Sequence, residues 1–126
     1  MKKDLISITD LSVSEIKDIF SLATKVKKNK KKYSKALFGK TIALIFQKPS
    51  LRTRVSFEVG IKQLGGSSVY LGREDVNLGV REAVSDVAKT LSRYVDGIVA
   101  RTFDHKYVVD LAKYASVPVI NGLSDL

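Results

Sequence analysis

The 126 residues contain no cysteine, a single histidine and only two prolines. Without cysteine there can be no disulfide, no thiolate nucleophile and no Cys-containing zinc site, as suits a reducing interior. One histidine, His105, excludes a His-only metal cluster within the chain. The longest apolar runs reach about six residues, far short of the roughly 20 that a membrane-spanning helix needs. The first residues, Met-Lys-Lys-Asp, lack the apolar stretch of a secretory signal. No internal repeat and no Pro/Gly-rich linker divides the sequence. The expectation is one cytoplasmic domain over residues 1–126, without a membrane partner, large enough to bury about two-thirds of its unfolded surface.

What is abundant is positive charge. Lysine and arginine number 22 against 13 acids, for a net charge of +9. Seven lysines lie within residues 25–35 (KVKKNKKKYSK), with no acid among them, and the remainder of the chain carries only +2. The basic character is therefore local. It reads either as a solvated helix end, where lysine complements the dipole, or as a contact for nucleic acid or another acidic surface. Few aromatics interleave with the lysines and no nucleic-acid-binding motif accompanies them, so no nucleic-acid partner is expected.

Hydrophobic periodicity orders the elements. Ser12 followed by Glu15 is a capping box, flanked by Leu11 and Ile16 as a hydrophobic staple, and starts a helix over 13–28. Val13, Ile16, Ile19, Phe20 and Ala23 give that helix one apolar stripe. Thr41 to Phe46 (TIALIF) is a short β-branched run that reads as a strand buried on both faces. A helix over 52–64 follows, ended by Gly65-Gly66. Further strands are expected at 69–71, 97–100 and 117–120, with helices over 83–95 and 104–115. Pro118 places the last strand at an edge, or itself near the strand's start. The order α-β-α-β-α-β-α-β predicts an α/β fold, a parallel sheet of about four strands flanked by helices. Ligands of such sheets sit outside the carboxyl ends of the strands. Here those ends are residues 47–54, 72–79, 101–104 and 121–125.

The first of these segments is Lys48-Pro49-Ser50-Leu51-Arg52-Thr53-Arg54. Two hydroxyls and two guanidiniums fall where a strand turns into a helix, whose first N–H groups are unpaired and whose dipole favours negative charge. Guanidinium groups grip phosphate with two parallel hydrogen bonds. On the residues alone this is either an anion site or a capped, solvated helix start. Arg101, at the tip of another strand, adds to the first reading. His105 reads as a helix cap or surface residue. No Walker A loop and no Gly-x-Gly-x-x-Gly is present, so nucleotide binding lacks its usual signatures.

Phe46 to Glu58 (FQKPSLRTRVSFE) resembles the carbamoyl phosphate motif of the aspartate and ornithine carbamoyltransferase family. The resemblance continues through Gln63 to Gly66, Leu91 to Gly97, Arg101 to His105 and Val117 to Leu123. The Arg-Thr-Phe and Asn-Gly-Leu segments are closer to the ornithine enzymes. Leu51 stands where the motif usually has threonine; its backbone N–H remains available. The resemblance implies the N-terminal domain, binding carbamoyl phosphate through Ser50, Leu51, Arg52, Thr53 and Arg101, with Arg52 and Arg101 catalytic. It implies transfer of the carbamoyl group to L-ornithine, within arginine metabolism, with no metal or organic cofactor. The family's His-Pro-x-Gln segment and amino-acid-binding domain are not in this sequence, so a domain or fragment of an enzyme is expected. The loop from Glu74 to Glu82 resembles a segment that reaches a neighbour's site in a homotrimer, with Asn77 contacting the neighbour's carbamoyl phosphate. The alternatives are the same domain of an aspartate or other carbamoyltransferase and, more distantly, a non-catalytic anion or nucleic-acid-binding module.

Overall fold

The computed structural model describes residues 3–79 and 82–125. A short 3₁₀ turn, Ile8–Asp10, precedes α1 (Val13–Lys28), β1 (Thr41–Phe46), α2 (Leu51–Gln63), β2 (Ser67–Gly72), α3 (Val84–Ser92), β3 (Gly97–Asp104), α4 (His105–Tyr114) and β4 (Val119–Asp125). The four strands form one parallel sheet in the order β2-β1-β3-β4. The predicted alternation is thus the observed one. No helix among the described residues is long and apolar enough to cross a membrane.

Each face of the sheet has its own core. Ala43, Ile45, Ile98, Ala100 and Val119 pack with α3 and α4, whose Val84, Val87, Ala88, Val108 and Leu111 are buried. Leu44, Phe46 and Val99 face α2, where Ile61 closes a second, smaller cluster. Alternation along β1 and β3 sends neighbouring residues to opposite faces, which is why the strand is apolar from Ile42 to Phe46.

Local chemistry sets the boundaries. Ser12 Oγ accepts from the Glu15 N–H at 3.1 Å and a Glu15 carboxylate oxygen accepts from the Ser12 N–H at 3.0 Å, the capping box expected for α1. That backbone hydrogen bond holds the Glu15 carboxyl below its ordinary pKa. α2 ends in a Schellman arrangement: Gly65, at φ +87°, donates to Lys62 O and Gly66 donates to Ile61 O. A Cβ on Gly65 would collide with the Ser34 carbonyl oxygen, so glycine is required twice over.

Two expectations need correction. β3 does not stop with its apolar run at Ala100 but continues to Asp104, because β1 and β4 go on pairing with it. β4 begins beyond Pro118, whose ring cannot donate to a ladder. Its outer edge is covered: Leu5 bridges to Ile120, and the Leu5 N–H donates to Val119 O at 2.9 Å. The apolar stripe on α1 is largely exposed, Phe20 at 68% and Val13 at 70%. Periodicity defines that face without supplying a described element to cover it.

Candidate functional site

The chain leaves β1 for β2 on one side and later places β3 on the other. The strand order therefore reverses between β1 and β3, and the crevice outside their carboxyl ends is where such sheets bind ligands. Residues 47–54 leave the tip of β1 there, and Arg101 lies on β3 as the register partner of Phe46.

The start of α2 is unusual in what it leaves unspent. Ser7, Ser12 and Asp104 each cap their helical turn through a side-chain oxygen. Ser50 occupies the same position at α2 in extended backbone, φ −153° and ψ 107°, yet its hydroxyl makes no cap bond. The first bond of the turn runs from the Arg54 N–H to Ser50 O at 3.1 Å. The N–H groups of Leu51, Arg52 and Thr53 have no acceptor in the helix. The side chain of Arg52 is exposed, and that of Thr53 is half-buried.

Arg101 supplies the other half. Parallel register puts it on the α2 side of the sheet, the side of Phe46 and Val99. No carboxylate pairs with it among the described residues. Its Nη1 lies 3.5 Å from Gly122 O, a weak contact at best, and its Nε is buried with no partner. A buried guanidinium nitrogen left unpaired costs stability comparable to a lost hydrogen bond, and more when charged. The concavity adjoining Gly122 is lined by Leu5, Ile6, His105, Asn121, Leu123 and Ser124.

Other candidates fall elsewhere. Arg54 does not join the corner: its Nε donates to Glu58 at 2.9 Å and its guanidinium lies 3.5 Å from the Tyr70 ring centroid. The hydrogen bond to Glu58 raises its already high pKa. Two residues along a helix turn by about 200°, so Arg52 and Arg54 had to diverge once the segment was helical. Lys48 is paired with Asp125 at 3.0 Å and lies over the Phe103 ring. His105 opens α4, which Asp104 caps, and its Nδ1 is hydrogen-bonded to Ser124 Oγ at 2.7 Å. Asn77 sits half-buried beyond β2 between the buried anchors Val76 and Leu78, with no hydrogen bond to the corner among the described residues. Gln47, for which no role was expected, is buried and bonded to β3. A polar residue placed directly after a six-residue buried strand was the signal for it.

The unused cap makes a paired prediction. Ser12→Ala is expected to cost about 1 kcal/mol, the usual value of a cap. Ser50→Ala should cost under about 0.5 kcal/mol, as at an uninvolved surface position. Urea denaturation of both variants decides it, and equal losses would show that the Ser50 hydroxyl caps α2 in solution.

Comparison with known proteins agrees with this geometry. Residues 3–126 match the family model described as "Aspartate/ornithine carbamoyltransferase, carbamoyl-P binding domain". The chain is 56% identical over 125 residues to an ornithine carbamoyltransferase of Thermococcus kodakarensis, covering 98% of this chain and 40% of that protein. Against the Bacillus subtilis ornithine carbamoyltransferase it is 51% identical, covering 98% and 38%. The solved Pyrococcus furiosus ornithine carbamoyltransferase superimposes with a TM-score of 0.94 at 52% identity, over 98% of this chain and 40% of that one. An N-acetyl-L-ornithine transcarbamylase structure superimposes at 0.85 with 36% identity, over 98% and 43%. This chain therefore spans about two-fifths of the length of these relatives. With its parallel sheet, its uncapped β1–α2 corner and a match over nearly its whole length, the chain belongs to the aspartate/ornithine carbamoyltransferase family, in which it corresponds to the carbamoyl-P binding domain.

Proposed function

We propose that this domain seats carbamoyl phosphate at the β1–α2 corner, and that the protein it represents transfers the carbamoyl group to L-ornithine. The observation that carries the reading is Arg101: a half-buried guanidinium with a buried, unpartnered Nε, one strand away from an uncapped helix start. In this reading Ser50, Thr53, the Arg52 guanidinium and the free N–H groups, Leu51 among them, hold the phosphate. Arg101 spans phosphate and carbonyl oxygen. The amine nitrogen attacks the carbonyl carbon, the carbon–oxygen bond to phosphate breaks, and the amine gives up a proton. Negative charge grows on the carbonyl oxygen and the departing phosphate, where fixed donors stabilise it.

The choice of ornithine rests on the names of the relatives at about 50% identity. The same fold in a protein named for N-acetyl-L-ornithine shows that this domain's architecture alone does not select the acceptor. The acceptor pocket in this reading belongs to a second domain. A homotrimer is part of it too: β2 is an edge strand, so the loop that carries Asn77 leaves the sheet at its border, where a neighbouring subunit has access.

Thermal unfolding of this chain with increasing carbamoyl phosphate tests the site. A ligand at 100 times its dissociation constant stabilises by about 2.7 kcal/mol, so the midpoint should climb by several degrees. Inorganic phosphate should act in the same direction but less strongly. No rise at any concentration of either would remove the corner as the site.

A further inference from the structure

We infer that Gln47 is a positioning residue for this anion site, holding Arg101 at a fixed offset from Ser50 to Thr53; the inference rests on the phosphate reading above. β1 ends at Phe46 while β3 runs on to Asp104. On its other side β3 loses regular pairing as well, since the β3–β4 register slips between Arg101 and Asp104. Thr102 and Phe103 are thus left beyond both regular ladders. Thr102 is fully buried and turns its hydroxyl to Asp104 O at 2.9 Å.

Gln47 carries the β1–β3 ladder one rung further with a different atom. Its backbone N–H donates to Arg101 O at 2.9 Å, as the next parallel rung requires. The rung after that would take the Phe103 N–H onto the Gln47 main-chain carbonyl. Instead the Phe103 N–H donates to the side-chain Oε1 of Gln47 at 3.1 Å. The side chain replaces the backbone as acceptor, and the main chain is released at once into Lys48-Pro49. Pro49, with no N–H to donate, fits a segment that has left the ladder. Gln47 is only 6% exposed, so these bonds are shielded from water. The two bonds flank Thr102 and pin the chain directly after Arg101: one holds the Arg101 carbonyl and the other holds the residue two further on. Ser50 follows Gln47 by three residues, so one residue, through its backbone N–H and its side chain, ties both halves of the site together.

The test uses isotope-labelled chain, follows the arginine Nε–H signals by NMR, and titrates inorganic phosphate. In the parent chain the Arg52 and Arg101 signals should move together. Gln47→Met removes the acceptor at similar volume. Half-saturation should then rise about tenfold, roughly the loss of one charge-assisted hydrogen bond, and the Arg101 displacement should shrink. Gln47→Glu keeps an acceptor within reach of the Phe103 N–H and should restore both. If Gln47→Met does not fold, Gln47→Asn, one methylene shorter, should show the same weakening. A folded Met or Asn variant that saturates at the parent's phosphate concentration, with the Arg101 displacement intact, overturns the inference and leaves the phosphate reading standing. Failure of both arginine signals to move in the parent chain overturns the phosphate reading and this inference with it.

Discussion

Replacing Arg101 by alanine is expected to abolish phosphate-dependent stabilisation while leaving the fold standing. Arg101 makes one weak contact, to Gly122 O, and has no carboxylate partner among the described residues. Its removal breaks no strong bond among the described residues, and it takes away a buried nitrogen that none of them satisfies. The unliganded midpoint should therefore change little. Binding is another matter, because a charge-assisted hydrogen bond is worth about 1.5–3 kcal/mol and a guanidinium forms two at once with a phosphate. Arg52→Ala should likewise abolish protection at little structural cost, since the side chain is exposed and alanine is the best helix former. Arg54→Ala should instead lower the unliganded midpoint, through loss of the Glu58 and Tyr70 contacts. If the proposed carbamoyl transfer is right, Arg101→Ala should also slow it by about 10²–10³-fold in an enzyme that carries this domain, as loss of an oxyanion donor does. Melting curves with and without phosphate read the first result, and a ligand-induced shift equal to the parent's in Arg101→Ala would remove that residue from the site.

The α/β order was legible because each element announces itself locally. TIALIF can only be a doubly covered strand, Ser12 and Glu15 close a capping box, and Gly65-Gly66 end α2 with a positive φ that other residues resist. The tip of β3 was not legible. Arg-Thr-Phe-Asp has neither alternation nor an apolar run, and it is strand because β1, β4 and the Gln47 side chain supply its partners. The motif placed Ser50, Arg52 and Thr53 at the corner but could not say that the Ser50 hydroxyl goes unused there, a fact of geometry. Arg54 was sortable from helical angle alone. Lys48 was not: Asp125 is 77 positions away in sequence, and only the fold brings them together. The stripe on α1 shows the limit from the other side, because amphipathicity states which residues share a face and not what lies against it.

Phe46→Ala is the substitution expected to cost most in stability. Its ring is 2% exposed and lies with Leu44, Ile61 and Val99 in the smaller of the two cores. That core holds few fully buried side chains, and the others packed against it, Tyr70 among them, are themselves only partly buried. Truncating a buried phenylalanine costs about 3–5 kcal/mol, against the roughly 5–15 kcal/mol that holds a whole domain. The urea midpoint should fall steeply with the slope unchanged. The damage also reaches the site by a definite route. The Phe46 ring lies 5.6 Å from that of Tyr70, and Tyr70 carries the Arg54 guanidinium on its face. Arg54 in turn begins the hydrogen-bonded part of α2, its N–H on Ser50 O. A cavity at Phe46 lets Tyr70 shift, and the first turn of α2 shifts with it. Phosphate affinity measured well below the unfolding midpoint should therefore weaken in Phe46→Ala. Phe46→Leu, which keeps most of the volume, should retain it at a smaller stability cost. A loss below about 1 kcal/mol in the alanine variant would mean that α2 rests on the sheet through other contacts, and that the corner is held from the Gln47 side alone.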